Sequence, residues 1–325
     1  MKKEELLTYL TENGAYLSGE ELSRKFGVSR SAIWKNINQL REDGYEIESV
    51  TNRGYRLISS PDLLTEAEIR KGLQTKIIGQ NVYYYPIVDS TNEAAKRLAN
   101  EGAENGSVFV AEQQSHGKGR LGRNWVSPPG EGIWFSVLLR TSVIPLQISN
   151  ITLLAGLAVS KGIESYTGLK ARIKWPNDVV IGTKKVCGIL TEMAAEIERV
   201  NYIVIGIGVN ANTPAFPEEI SIKATSILLE TGKAVRRAAL LREILAEFEK
   251  LYDKYFIRGE DGMLEEYKPY CISLGRKVST IRNGKPVTGI AEDITPSGEL
   301  LVQCEDGSFL AVNSGEVTVQ GIYGQ

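Results

Sequence analysis

Gly206-Ile207-Gly208-Val209-Asn210-Ala211 follows a strand-like run beginning at Tyr202 and matches G-x-G-x-x-A, the fingerprint of a dinucleotide-binding βαβ unit. That fingerprint needs a helix to open at its glycines, so that the helix N-terminus meets a pyrophosphate. Asn212-Thr213-Pro214 and Pro217 follow instead, and no helix starts there. The glycines then let a strand approach a flat ligand closely. Neighbouring segments agree. Strand-like runs at 83–88, 107–112, 133–140, 171–175, 179–181, 186–193 and 202–209 alternate with helical runs at 91–101, 147–166 and 236–256. Hairpin-like pairs dominate, as in Val179-Val180-Ile181-Gly182 followed by Lys185 onward. Residues 64–270 therefore predict a mixed or antiparallel sheet covered by helices, not a doubly wound one.

On the N-terminal side, residues 1–63 have a different grammar. Leu6, Leu7, Leu10 and Leu17 recur at helical spacing, and Ser18 with Glu21 forms a capping box. Phe26-Gly27-Val28 supplies a turn. Ser29 caps a third helix that buries Ala32, Ile33, Ile37 and Leu40 and stops near Gly44. Two strand-like runs, 45–48 and 54–57, flank Thr51-Asn52-Arg53-Gly54, a hairpin turn. Helix, helix-turn-helix, hairpin is the order of a winged helix. Ser59-Ser60-Pro61-Asp62 reads as a linker. On the C-terminal side, residues 271–325 show short strands broken by Asn283-Gly284, Ser297-Gly298 and Asp306-Gly307, a small β-barrel or sandwich. The fold class is α+β.

The chain has 325 residues, is 42% hydrophobic and carries a formal net charge of -2, which excludes a uniformly basic coat but not a local basic patch. Cys187, Cys271 and Cys304 are odd in number and far apart, and His116 is the single histidine. Neither a structural zinc site nor a disulfide framework is expected, as suits a reducing cytosol. Met1-Lys2-Lys3-Glu4-Glu5 does not open a signal peptide, and the apolar run 151–159 is too short to span a bilayer. A cytoplasmic protein with no membrane partner is expected.

Within residues 1–60 nine basic and nine acidic side chains balance, but they are segregated. The third helix, from Ser29 to Arg41, carries Arg30, Lys35 and Arg41 with no acid, and adds Ser31, Asn36, Asn38 and Gln39 for base edges. Arg53 and Arg56 in the hairpin are placed for phosphate or a minor groove. DNA binding is the expected role, assigned to Ser29, Arg30, Ser31, Lys35, Asn38, Arg41 and Arg53. The competing reading is a protein-interaction module whose charges are a solvated face. Trp34 is expected in core or dimer packing.

Gln113-Gln114-Ser115-His116-Gly117-Lys118-Gly119-Arg120-Leu121-Gly122-Arg123-Asn124-Trp125 interleaves glycines with cations. Such a loop can wrap a phosphate with N–H groups and guanidinium forks. It is not a Walker A loop, and composition alone leaves a flexible RNA-binding loop equally open. Lys174-Trp175-Pro176-Asn177-Asp178 and Lys184-Lys185-Val186-Cys187-Gly188-Ile189-Leu190 set a carboxylate and a lysine at the ends of neighbouring strands. Nucleotidyl transfer needs cations at the α-phosphate and a carboxylate to hold a metal or orient an amine. Taken alone, this pair is better read as an exposed turn with a surface ion pair.

Together these motifs resemble biotin–protein ligases. The glycine-rich loop is similar to G-[RK]-G-R-x-G-R-x-W, and Lys174-Trp175-Pro176-Asn177-Asp178 is identical to K-W-P-N-D. Asp89-Ser90-Thr91-Asn92 resembles D-S-T-N, residues 185–190 resemble K-[VL]-x-G-I-L, and residues 206–210 resemble G-x-G-[IV]-N. With the winged helix, the likeness is to the bifunctional class, the biotin operon repressors. It implies a class II synthetase-like central domain and an SH3-like C-terminal one.

The resemblance implies roles residue by residue. Biotin would be bound by Ser90, Thr91, Asn92, Gln114, Gly117, Lys118, Gly119, Arg120, Lys185, Gly188, Gly206 and Gly208. The nucleotide would meet Arg120, Arg123, Trp125, Asn177 and Asn210. Catalysis would fall to Lys185, Asp178, Arg120 and Arg123, with Asp178 orienting or deprotonating the acceptor lysine. ATP with Mg2+ would be co-substrate, without metal ligands assigned, and no cofactor would be permanently bound. Partners would be a biotin carboxyl carrier domain, operator DNA, and a second copy of the chain once biotinyl-AMP is bound. Two departures stand out: Lys118 replaces the commoner arginine, and Gln320, after Ser314-Gly315-Glu316-Val317-Thr318-Val319, stands where some relatives place an arginine near ATP. The rivals are a lipoate–protein ligase and a ligand-sensing transcription factor without ligase activity. His116 reads as a solvated loop residue, since a biotin carboxylate is already ionised at pH 7.

Overall fold

The computed structural model describes residues 3–140, 148–195, 200–282, 284–313 and 317–324. Asn283, residues 314–316 and the expected helix start at 147 lie outside them. The chain divides into two units, Met1–Lys71 and Gly72–Gln325.

The N-terminal unit runs α1 (Lys3–Asn13), α2 (Gly19–Phe26), α3 (Arg30–Glu42), β1 (Glu46–Val50), β2 (Gly54–Ser59) and α4 (Glu66–Arg70). The cap at Ser18 is present, its hydroxyl accepting from the Glu21 N–H at 3.1 Å, and Ser29 accepts from the Ala32 N–H at 3.2 Å. Leu6, Leu10, Leu22, Ile33, Ile37 and Leu40 form one core under the antiparallel β1–β2 hairpin. Gly54, at φ 102°, packs so closely that a Cβ would sit 2.1 Å from the Leu17 carbonyl oxygen. Leu63 and Ala67 pack on the same core, so the segment after residue 63 stays with this unit. Trp34 does not join the core: it is 58% exposed on α3.

The second unit contains β3 (Val82–Val88), α5 (Thr91–Asn100), β4 (Val108–Gln114), β5 (Gly132–Leu139), α6 (Ile148–Thr167), β6 (Ala171–Lys174), β7 (Asp178–Ile181), β8 (Lys184–Ala195), β9 (Val200–Asn210), α7 (Glu218–Ser221), α8 (Ile227–Thr231), α9 (Arg237–Tyr252) and α10 (Met263–Tyr267). Its seven strands lie in the order β3-β4-β5-β9-β8-β7-β6. Only β3–β4 is parallel; the other neighbours are antiparallel. Every residue of β5 is buried, which places cover on both faces of the central sheet. Alanines 94, 95 and 99 bring α5 onto Phe109, Leu138 and Val204. Helices α6 and α9 pack together where Gly162 leaves room for Ile244: a Cβ there would lie 2.8 Å from Ile244 Cγ1.

Strands β10 (Lys277–Arg282), β11 (Lys285–Ile294), β12 (Leu300–Cys304), β13 (Phe309–Val312) and β14 (Thr318–Val319) form a five-stranded antiparallel sheet in the order β13-β12-β11-β10-β14. The Trp175 backbone N–H donates to Ser273 Oγ and its indole N–H to the Gly298 carbonyl, both at 3.0 Å. These bonds fasten the turn before Asp178 to the segment leading into β10 and to the turn between β11 and β12. Among the described residues, no helix is long and apolar enough to cross a membrane.

Candidate functional site

Register builds the floor of the site. Gly208 pairs with Trp134 on β5 and with Gly188 on β8, and Gly206 pairs with Ser136 and Leu190. Three glycines on adjacent strands leave a patch without Cβ atoms. A Cβ on Gly206 would meet Asn92 Oδ1 at 2.3 Å, and one on Gly208 would meet Trp125 Nε1 at 2.5 Å. The segment Gly206–Asn210 is strand, with no helix opening at its glycines, and Asn92 and Trp125 approach it closely.

One wall is the start of α5. Ser90 is buried at the N-cap position, yet its hydroxyl caps nothing. The Thr91 N–H donates to Gln114 Oε1 at 2.8 Å, and Gln114 Nε2 donates to Ser127 Oγ at 2.8 Å. Asn92 Nδ2 donates to Glu192 Oε2 at 2.7 Å and to the Leu190 carbonyl at 3.3 Å, while Ser136 Oγ lies 2.6 Å from its Oδ1. Asn92 is therefore held by protein partners at both ends of its amide and shapes the wall, and Ser90 lines the cavity beside it. Asp89 grips Arg97 through both oxygens at 2.8 and 2.9 Å. Those hydrogen bonds, with the Ser90 N–H, overcome partial burial and hold its carboxyl at about 2.

The glycine-rich loop folds back on itself. The Trp125 N–H donates to the Gly117 carbonyl at 2.9 Å and the Gly119 N–H to the Arg123 carbonyl at 2.7 Å. Of its glycines only Gly122 has positive φ, 73°, beside Leu121 at 55°. Gly117 serves close approach instead, since its Cβ would lie 2.3 Å from the Trp125 carbonyl oxygen. Arg120 Nη1 donates to Asn177 Oδ1 at 2.7 Å. Lys118 Nζ sits 2.7 Å from Glu93 on α5, and Glu93 also holds Lys96 at 3.1 Å. The hydrogen bond from Lys118 leads in keeping the Glu93 carboxyl below its usual range. The ammonium expected at a ligand thus has a protein partner.

The turn after Pro176, joined to Trp175 by a cis peptide bond, delivers Asn177 and Asp178. Lys185 Nζ lies 2.6 Å from Asp178 Oδ1, and the Tyr323 hydroxyl donates to Oδ2 at 2.8 Å. Burial would raise the Asp178 carboxyl, but Lys185, Lys174 and these contacts hold it below its ordinary value. Lys185 Nζ also stands 5.1 Å from the centroid of the Trp125 ring.

Two cavities result. One of about 50 Å3 is lined by Ser90, Thr91, Gln114, Gly188, Gly206 and Gly208 and is narrowed by the Trp125 indole. The other, about 680 Å3, is lined by Arg123, Trp134, Lys174, Asp178, Asn210 and Tyr323. They share Gly119, Arg120, Trp125, Asn177 and Lys185. Asn210 is buried, its amide donating to the Thr225 carbonyl at 3.1 Å. Sequence reasoning missed Lys174 and Tyr323 as site residues. The K-W-P-N-D motif could have flagged the lysine; nothing local marks the tyrosine.

On the N-terminal unit, Ser31, Trp34, Lys35 and Asn38 make a stripe along the outer face of α3, with the first three exposed. Arg30 is exposed and pairs with Glu20 at 2.7 Å. Ser29 caps the helix and contacts Ser31 Oγ at 2.9 Å. Arg41 instead turns to the hairpin, donating to the Ile47 carbonyl from Nε at 3.0 Å and from Nη2 at 2.7 Å. Arg53 and Arg56 lie 4.5 and 4.7 Å from the ring centroid of Tyr16.

Residues 84–210 match the Biotin/lipoate A/B protein ligase family, residues 2–56 an HTH domain, and residues 273–319 the Biotin protein ligase C terminal domain. The bifunctional ligase/repressor BirA of Bacillus subtilis is 40% identical over 94% of this chain and 95% of its own length. That of Escherichia coli is 30% identical over 97% and 96%. The solved biotin protein ligase of Aquifex aeolicus, in complex with biotin and ATP, is similar with a TM-score of 0.64 and 31% identity, covering 74% of this chain and 99% of its own.

Proposed function

The chain belongs to the family of bifunctional biotin ligases and repressors, and from that premise we propose how its two cavities divide the reaction. The observation that carries the reading is their junction at Arg120, Asn177 and Lys185. Biotin's fused rings occupy the glycine-floored pocket, with Ser90, Thr91 and Gln114 offering hydrogen bonds to the ureido group. Its tail runs past Trp125, which yields to admit it, and brings the carboxylate to Lys185. ATP enters the larger cleft as its magnesium complex, the ion travelling on the phosphates of the substrate.

A carboxylate oxygen attacks the α-phosphorus, the bond to the β-phosphate oxygen breaks, and pyrophosphate leaves. No base is needed, because the carboxylate is already ionised. Lys185 and Arg120 meet the charge that builds on the phosphoryl oxygens. In the second step an acceptor lysine of a carrier domain attacks the acyl carbon. The acyl C–O bond breaks, AMP departs with its electron pair, and the amine releases a proton. Asp178, held ionised, orients that amine. The α3 face binds operator DNA, and two adenylate-bound copies are needed for stable binding.

The test is to incubate the chain with MgATP, labelled biotin and a carrier domain. Label is expected on one carrier lysine. Lys185→Ala should lower adenylate formation by orders of magnitude while leaving biotin affinity within a few-fold. Labelling with lipoate but not biotin would overturn the assignment.

A further inference from the structure

Asp178 is held by groups from three directions. Lys185 and the buried Cys187 face it from β8, Lys174 from the end of β6, and Tyr323 from beyond β14. Burial keeps the Cys187 thiol neutral. Lys185 contacts Oδ1 and the Tyr323 hydroxyl takes Oδ2, so the carboxylate cannot rotate without breaking one contact.

Tyr323 is itself fixed with unusual care. Its backbone N–H donates to the Thr183 carbonyl at 3.0 Å, in the turn between β7 and β8. Its φ is 61°, in the left-handed region, which is costly for a residue with a side chain and persists only where surroundings over-determine it. Ile322 beside it is fully buried, and Lys174 Nζ stands 5.2 Å from the centroid of the tyrosine ring. A phenylalanine would fill the same space. What only tyrosine adds is one hydrogen bond to a carboxylate that lines the larger cavity, next to Asn177 and Lys185, which both cavities share.

We infer that Tyr323 is a positioning residue for biotin transfer: its hydroxyl holds Asp178 in the single orientation that receives the acceptor amine. The inference rests on the proposed function. The C-terminal segment thereby completes the active site with a side chain no motif announces. The bond favours the ionised carboxylate, so its loss raises the pH at which Asp178 gains a proton.

The experiment uses the full chain, carrier domain and preformed biotinyl-AMP in single-turnover transfer, with pyrophosphate release measured separately. Tyr323→Phe should slow transfer about tenfold, the scale of one hydrogen bond to a charged group, and slow adenylate formation clearly less. The acidic limb of its transfer profile should move to higher pH. Placed in an Asp178→Asn background, the same substitution should change transfer by less than about twofold, since the two residues act as one unit. Wild-type transfer rates with an unmoved limb would overturn the inference. Equal slowing in both backgrounds would also overturn it, by reducing Tyr323 to packing. A wild-type chain that cannot label the carrier at all would instead bring down the proposed function, and this inference with it.

Discussion

Arg120 Nη1 donates to Asn177 Oδ1 across 2.7 Å, tying the glycine-rich loop to the turn that carries Asp178. Asn177 is not free to swivel, because its Nδ2 donates to the Ile189 carbonyl at 2.9 Å. The latch is a charge-assisted hydrogen bond of about 1.5–3 kcal/mol. Asn177→Ala should speed the escape of biotinyl-AMP by about tenfold or more, and Arg120→Gly should do so further and label nearby lysines indiscriminately. Adenylate dissociation followed by stopped flow checks this; wild-type retention by both variants would remove the loop's role as a lid.

Gly206→Ala places a methyl 2.3 Å from Asn92 Oδ1, and Asn92 is pinned by Ser136, Leu190 and Glu192. Nothing there can yield cheaply, so the substitution should cost about 1–3 kcal/mol of stability and weaken biotin binding. Gly208→Ala meets the Trp125 indole, which belongs to a loop. It should weaken biotin binding with a smaller loss of stability. Calorimetry of both variants, with and without biotin, separates the cases; equal thermal losses would contradict the distinction.

Acid should reach the site through Asp89. Its folded value is about 2 against an ordinary 3.8, chiefly because of the hydrogen bonds from Arg97. A depressed carboxylate contributes stability that is whole above the unfolded value and lost as pH falls toward the folded one. With the pair's side chains 54% and 43% exposed, solvent screening limits the contribution to about 1 kcal/mol or less. Asp89→Asn should therefore flatten the loss of stability between about pH 4 and pH 2 and leave the slope at neutral pH unchanged. Denaturant midpoints across that range test it, and parallel curves for the two proteins would count against it.

Local signals were well preserved in the sequence. The cap at Ser18, the helix opening at Thr91 and the strand, not helix, at Gly206–Asn210 each depend on neighbours a few residues away. The motifs also converge: residues 90–92, 114, 118–121, 123–125, 177–178, 185, 188, 206–208 and 210 line one connected pair of cavities. What stayed hidden is partner choice over distance. Charge alone does not say that Lys118 will meet Glu93, that Arg41 will turn to the Ile47 carbonyl, or that Tyr323 will reach Asp178. Of the two places expected for Trp34, core or dimer contact, the core is excluded, because the stripe of Ile33, Ile37 and Leu40 already fills the inner face of α3.

The same contrast separates stability from DNA recognition on α3. Arg41 makes hydrogen bonds to the Ile47 carbonyl, to Ser49 Oγ at 2.7 Å and to Asn38 Oδ1 at 3.4 Å. Its guanidinium therefore joins the helix to the hairpin, and Arg41→Ala should destabilise the N-terminal unit by about 1–3 kcal/mol. Lys35 and Trp34 project from the exposed face, so Lys35→Ala and Trp34→Ala should shift stability by no more than about 0.5 kcal/mol. Their effect should appear on DNA. Lys35→Ala removes one cation from the interface, lowering operator affinity and reducing the salt slope by about 1. Trp34→Ala removes apolar surface from the same face without removing charge, and should lower affinity at an unchanged salt slope. Thermal unfolding of the three variants, set beside operator-shift titrations at several salt concentrations, distinguishes them. Wild-type affinity and salt slope for both Lys35→Ala and Trp34→Ala would mean that the outer face of α3 is not the surface that meets DNA.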